Sequence, residues 1–391
     1  MVNGVMEKLS EDVFIYTLLR LPVKSLMRFK CVSKVGYTLI QSSAFIKFHL
    51  NRTTTTEEEL ILLKRSIEEE STRYKTILSF LSNDDDNLNP LFPDLDVPCL
   101  VSTCSSNFDQ LFGPCQGLIA LIDYVNTFLL NPATRNYRII PPSPLSSQER
   151  VHLYVQGAGF GFDSIAKEYK IVMIEVIYRD TPCKDPELGE KKVEVYDFSI
   201  DSWRELDHVS NDLPTMFWVP CSEMFYKGAC HWFALSEPDT VDILCFDLSS
   251  EVFRIMKMPD SCRFFNGPSY GLLIKNESLT LICYPDEESE VYPRQESIDI
   301  WIMKEYGAYD SWIKKQTIRP LPIEIPLSIW KDDLLLFQSK NGFLLSYDLN
   351  SGEVKQYNLH GCPKSLRAVV YKECLTQIQR GGEHSTEVQK F

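Results

Sequence analysis

The sequence predicts an α+β chain in two parts: a small three-helix module at residues 1–50 and an all-β propeller at residues 60–391, joined by a linker at 51–59. Three observations carry this. Residues 1–50 show helical periodicity and capping signals, which fade after residue 59. Beyond that point short, β-prone apolar runs recur, and one strand–turn–strand unit repeats at long intervals. The charge divides at the same place. Residues 1–50 hold seven Lys/Arg against three Asp/Glu, whereas the whole chain holds 40 against 54, so the body alone is acidic.

Ser10 is placed to cap the first helix, and Glu11 and Asp12 follow in the turn where the helix dipole favours acids. Val13, Phe14, Ile15, Leu18 and Leu19 cover more than one stripe, so burial on two sides is expected. Leu21-Pro22 ends this helix, and Pro22 opens the next, where its fixed φ is already helical. The second helix carries Val23, Leu26, Met27 and Phe29 among Lys24, Arg28 and Lys30. Ser33 is expected to cap a third holding Val35, Leu39, Ile40, Phe45 and Phe48. About fifty residues cannot bury this much apolar surface alone. Two readings follow: a cap packed on the chain's own next domain, or an interface for another protein.

The linker NRTTTTEEE is polar throughout. After it comes the repeat. Asn131 is followed six residues later by Tyr137, Asp197 by Trp203, Asp247 by Phe253, and Asp348 by Val354. Trp301 to Trp312 reads as a stretched variant. Asp and Asn suit such a turn because their side chains bond the backbone just ahead. The even spacing returns the second anchor to the same face of the sheet. Asp197 and Asp247 are 50 residues apart, a period that suits four-stranded propeller blades, six or seven of them in the chain that remains. The runs 231–234, 272–274 and 334–337 are candidate inner strands. Residues 368–371 and 60–63 are candidates to pair and close the ring, since open strand edges invite aggregation. A pair of β-sandwiches is the competing architecture.

An acidic body disfavours nucleic acid and anionic membrane and suits basic partners. No opening apolar run reads as a signal peptide, and none approaches the ~20 residues of a membrane span, so a cytoplasmic or nuclear location is expected. None of the twelve cysteines forms a C-x-x-C pair or stands near a His-x-x-x-His set, so no zinc and no cofactor are expected. Cys245 and Cys283 read as small core hydrophobes. Gly157-Ala158-Gly159-Phe160-Gly161 has the composition of a phosphate loop, but the next run, 168–173, reads as a strand and offers no helix N-terminus. The six histidines stand at no catalytic spacing, and His231 reads as a packed strand residue.

Leu9, Leu21-Pro22-Val23-Lys24-Ser25-Leu26, Arg28-Phe29-Lys30-Cys31-Val32-Ser33-Lys34, Leu39-Ile40 and Phe45 together resemble an F-box. That resemblance implies docking to a Skp-type adaptor, and through it to a cullin and a RING protein. It also implies Leu9, Pro22, Val23, Leu26, Cys31 and Val32 as the adaptor-facing residues. Ser10 stands where the family usually has proline, and Gly36 where it usually has tryptophan. The body resembles the F-box-associated domain of plant F-box proteins, a kelch-like propeller. The runs that carry this are Asn131-Pro132-Ala133-Thr134-Arg135, Gly159-Phe160-Gly161-Phe162-Asp163, Ser202-Trp203-Arg204 and Tyr347-Asp348-Leu349, without the kelch double glycine in the blades. With Met258-Pro259-Asp260-Ser261-Cys262 and Tyr357-Asn358-Leu359-His360-Gly361, nearly the whole chain is similar to the pollen S-locus F-box family of RNase-based self-incompatibility.

The resemblance implies a non-catalytic receptor subunit of an SCF-type ubiquitin ligase that recognises non-self, basic, secreted-type ribonucleases. A receptor for another target, or a propeller enzyme or scaffold with a structural helical cap, is the alternative. Candidate substrate loops are 83–87, 178–190, 236–240 and 286–290, with Asp84, Asp85, Asp86, Asp286, Glu287 and Glu288 as the acidic tips.

Overall fold

The computed structural model describes residues 11–52, 59–70, 73–84, 87–102, 110–122, 126–147, 151–179, 189–207, 213–216, 224–286, 296–331, 333–378 and 389–390. Four helices lead into six antiparallel sheets arranged as a six-bladed propeller. Blade 1 takes Arg367–Tyr371 at the axis, then Leu60–Glu70 and Arg73–Asp84, with Asn87–Pro90 and Leu95–Ser102 both paired to Arg73–Asp84. Blade 2 runs Gln110–Cys115, Leu118–Ile122, Thr127–Asn131 and Asn136–Ile140, with Gln389–Lys390 at its edge. Blade 3 runs Val151–Asp163, Glu168–Arg179, Glu190–Asp197 and Ser202–Glu205. In blade 4, Thr215–Met216 and Met224–Tyr226 both pair with Ala229–Glu237, followed by Thr240–Asp247 and Val252–Met256. Blade 5 runs Ser269–Lys275, Ser278–Tyr284, Ile298–Met303 and Trp312–Ile318. Blade 6 runs Ile323–Trp330, Leu334–Ser339, Phe343–Asp348 and Val354–His360.

The repeat is the outer hairpin of a blade. Leu130 stands opposite Tyr137, Tyr196 opposite Trp203, Phe246 opposite Phe253, and Tyr347 opposite Val354. The stretched variant pairs Met303 with Trp312. The turn acids act locally. Asp247 Oδ1 accepts the N–H groups of Ser249 (3.1 Å) and Ser250 (2.8 Å), and Asp348 Oδ1 those of Asn350 (2.8 Å) and Ser351 (2.7 Å). Asn131 Oδ1 accepts from Thr134 N at 3.2 Å. Asp197 differs: it takes Arg204 Nε at 2.5 Å. The tryptophan anchors reach the preceding blade. Trp203 Nε1 donates to Pro141 O (2.7 Å) and Trp312 Nε1 to Lys257 O (3.0 Å).

Of the candidate inner strands, 272–274 lies at the axis, but 231–234 and 334–337 lie one strand out. The axial strands of those two blades are hidden in the sequence. One is a three-residue piece at Met224–Tyr226, and the other carries Pro326, which demotes a run as a strand.

Each neighbouring pair of blades shares an apolar core, so six clusters follow one another around the ring. The seam lies in blade 1. Leu60, Ile61, Leu62 and Leu63 pair with Tyr371, Val370, Val369 and Ala368, the segments expected to close the ring. The glycine-rich run lies within a strand of blade 3. A Cβ on Gly159 would fall 2.6 Å from Cys230 Sγ, and one on Gly161 2.3 Å from the Phe225 ring. These glycines let blade 3 approach blade 4, and Trp232 Nε1 uses that closeness to reach Ala158 O at 2.8 Å.

Among the described residues the module has four helices where three were expected: α1 (Glu11–Leu19), α2 (Val23–Phe29), α3 (Lys34–Gln41) and α4 (Ser43–Arg52). The break is at Ser42. Its backbone is extended (φ −67°, ψ 140°), and its Oγ donates to Leu39 O (2.8 Å) while accepting from Phe45 N (3.2 Å). One hydroxyl thus satisfies the end of α3 and the start of α4.

Candidate interaction surfaces

Leu18, Val23, Leu26, Ile40 and Phe45 fill the core of the helical module. Ser33 caps α3, its Oγ accepting the Gly36 N–H at 2.9 Å. Of the residues expected to face an adaptor, Pro22, Cys31 and Val32 are exposed. Val23 and Leu26 are not: they are 1% and 0% exposed, because a module this small needs both to make its own core. Leu9, like the capping Ser10, lies outside the described residues.

What the module leaves in solvent is still strongly apolar. Val13, Tyr16, Val32, Val35, Tyr37 and Phe48 are all exposed, with Val35 at 66% and Phe48 at 61%. Two shallow hollows adjoin Val32 and Val35, flanked by Lys30 and Lys34. One face of the helices therefore packs inward, and the other is bare.

The packed side meets the propeller through the segment after the closing strand. Leu375 enters the helical core, joined by Ala133 of blade 2. Asn131 Nδ2 donates to Cys374 O (3.1 Å) and Thr376 O (2.8 Å), which pins the segment to blade 2. A Cβ on Gly117 would collide with Cys374 Sγ at 2.1 Å, so glycine is required there. Burial pushes the Glu373 carboxyl up from its ordinary range, opposed by Lys24 and by the Val23 N–H that it accepts at the start of α2. Lys24 Nζ also lies 5.2 Å from the centre of the Phe92 ring.

Strand alternation gives the propeller two unlike ends. The turns joining the first to the second and the third to the fourth strand of each blade share the end where Leu60 and Tyr371 meet and the helices attach. The longer connections leave from the opposite end. The candidate loops 178–190, 236–240 and 286–290 belong to that far end, between second and third strands. Asp84 does not join them: it closes a third-to-fourth-strand turn at the helix-bearing end. Asp286 accepts from Ser269 Oγ at 2.8 Å. Asp85, Asp86, Glu287 and Glu288 lie outside the described residues.

At the axis is a cavity of about 580 Å3, with Leu272, Leu327 and Val369 among its walls and Lys331 and the Glu59–Lys372 pair (3.1 Å) at its rim. Among the described residues, no group of three or more His, Cys, Asp or Glu side chains is arranged to hold a metal ion. An ion-pair network lies inside the ring. Lys170 Nζ bonds Asp163 Oδ2 (2.9 Å), Glu251 Oε1 (2.9 Å) and Leu248 O (3.1 Å), tying blade 3 to blade 4. Burial would raise the Asp163 carboxyl, but the Ser249 hydroxyl, Lys170 and two backbone N–H groups hold it well below the usual range. His231 sits between Met224 O (3.3 Å) and Tyr306 Oη (2.8 Å), and burial lowers its pKa to about 4, so it is a neutral, packed strand residue. Burial, and then the charge of Glu194, raises Glu175 to about 7.

The family model for the F-box associated beta propeller domain matches residues 71–383, most of the chain. The chain belongs to that family. Its curated relatives include F-box protein CPR1 of Arabidopsis thaliana, 27% identical over 97% of this chain and 90% of the relative. A putative F-box/kelch-repeat protein of the same plant is 23% identical over 95% and 90%. Among solved structures, an oligogalacturonate lyase from Vibrio parahaemolyticus aligns at 12% identity and a TM-score of 0.40, over 77% of this chain and 86% of that one.

Two features of this F-box-associated propeller escaped the sequence. The joint at residues 373–375 carries no periodic signal, since its residues each serve a different neighbour. Phe264-Phe265 did leave a trace, as two adjacent aromatics beside Asn266-Gly267 in a connection between blades.

Proposed function

We propose that this chain is the substrate-recognition subunit of an SCF-type cullin-RING ubiquitin ligase. The helical module docks a Skp-type adaptor, which links it to the cullin and the RING protein, and the propeller holds the substrate. The chain performs no bond chemistry of its own and works in the cytoplasm or nucleus. The exposed apolar face around Val32 and Val35 supports this reading most directly, because a bare patch on an otherwise packed module is a partner surface. Capture of a Skp-type adaptor by the full chain tests it. Val32→Asp with Val35→Asp should abolish capture while the melting temperature holds. Undiminished capture by that variant would remove this face from the interface.

The substrate in this reading is a non-self S-locus ribonuclease, recognised in pollen and passed on for ubiquitination. Support comes from the sequence resemblance and from the acidity of the body, which would steer a basic ribonuclease. Association rates with a panel of such ribonucleases should fall between about 50 mM and about 500 mM salt. Rates indifferent to salt would exclude steering. A panel in which no ribonuclease binds would point to an F-box receptor for another target.

A further inference from the structure

We infer that the far end of blade 4 carries a contact site for a basic protein segment, with Phe264 and Phe265 as its apolar anchor. The inference rests on the receptor reading and gives it a surface. The two rings are adjacent in sequence and 45% and 36% exposed. The apolar core between blades 4 and 5 takes Cys262 and Tyr270, on either side of them, and leaves both rings out.

The backbone beneath the rings is held firmly. Phe264 forms a β-bridge with Thr240, Val241 N–H donates to Arg263 O (3.0 Å), and Phe265 N–H donates to Asp239 O (3.0 Å). Phe264 O accepts from Tyr270 Oη (2.6 Å) and Gly267 N (3.1 Å). Asp242, 1% exposed, anchors the whole connection. It takes Arg263 through Nε (2.9 Å) and Nη2 (2.6 Å), Met258 N (2.9 Å) and Ser236 Oγ (2.6 Å). All of this fixes the backbone of a stretch that contributes little to the ring's core and leaves two aromatic side chains in solvent. Pre-organised aromatics with a charged rim are the anatomy of a binding hot spot, since little ordering entropy remains to be lost on contact.

The rim selects the partner. Glu237 and Asp239 are exposed in the turn whose Asp239 O holds Phe265 N–H, and the exposed Asp260 pairs with Arg263 at 3.4 Å. Arg263 is neutralised by Asp242, and Lys257 is turned over the Tyr309 ring, 5.9 Å from its centre. A segment carrying Lys or Arg beside an apolar residue fits this surface, and an acidic one is repelled. The site lies at the end opposite the helices, so substrate and adaptor can be held together.

Fluorescence polarisation tests the site, using the full chain. The probes are a short labelled peptide of alternating Lys and Leu and its Glu/Leu counterpart. The basic peptide should bind and the acidic one fail. Phe264→Ala with Phe265→Ala should weaken binding at least about tenfold, and so should Glu237→Lys with Asp239→Lys, with melting temperatures unchanged. The proposal falls if the basic peptide does not bind, if the acidic peptide binds equally, or if both double variants keep full affinity. Adaptor capture is measured in parallel. Its loss with peptide binding intact overturns the receptor reading alone, and its retention beside insensitive peptide binding overturns this surface alone.

Discussion

Leu60 stands directly opposite Tyr371 in the ladder that joins the two ends of the propeller. The Tyr371 ring is fully buried, 5.6 Å from the centre of Phe80, and its hydroxyl donates to Gly117 O and accepts from Ala133 N, both at 3.3 Å. Tyr371→Ala should therefore cost about 3–5 kcal/mol, read from urea unfolding. A chain ending before Arg367 would leave Leu60–Glu70 with an open edge and should elute as aggregate in size-exclusion chromatography.

Leu26 and Val32 lie six residues apart and should separate folding from docking. Leu26→Ala removes a fully buried side chain and should cost the module about 2–5 kcal/mol, seen as faster amide exchange across α1–α4 with the blades unaffected. Val32→Asp changes an exposed position and should leave exchange as it was. Equal exchange profiles for the two variants would refute the assignment of inner and outer faces.

Gly161 tests the contact between blades 3 and 4. An alanine Cβ there would lie 2.3 Å from the Phe225 ring and 2.7 Å from Leu248. Gly161→Ala should destabilise the propeller by about 1–3 kcal/mol in thermal melts, by forcing the blades apart. A melt unchanged from wild type would mean that Phe225 yields freely.

Glu175 makes stability depend on pH. Its folded pKa is raised from 4.5 to about 7, so the folded state binds its proton more tightly than the unfolded chain does. The native state is then favoured below pH 4.5, and that advantage is lost as pH rises toward 7. At about 1.4 kcal/mol per unit, Glu175→Gln should stabilise the protein by about 3 kcal/mol at pH 8 and by little at pH 4. Urea titrations at both values decide it, and a gain independent of pH would rule out a titrating carboxyl as the cause.

The turn acids and the anchors six residues beyond them were readable because their physics is local: a carboxylate bonds the next N–H groups, and even spacing restores one face of a strand. Ring closure by 60–63 and 368–371 was readable because those β-prone runs stood at the two ends of the blade series. The helices were legible as helices, but not in their facing. Val23, Leu26 and Val32 are equally apolar in sequence, and a periodicity covering several stripes does not say which stripe the fold will use. Nor could composition show that Asp84 and Asp286 lie at opposite ends of the propeller, since both are acidic loop positions and strand count alone decides the end.

The sequence by itself determined the strand-turn-strand unit, its repetition and the helical lead-in, because each depends on residues a few positions apart. Tertiary structure alone decided that the blades number six, that residues 373–375 bind the helices to the ring, and that Phe264 and Phe265 are presented to solvent. Those outcomes depend on contacts between segments hundreds of residues apart or on different blades, where volume and burial select among side chains that look alike in sequence.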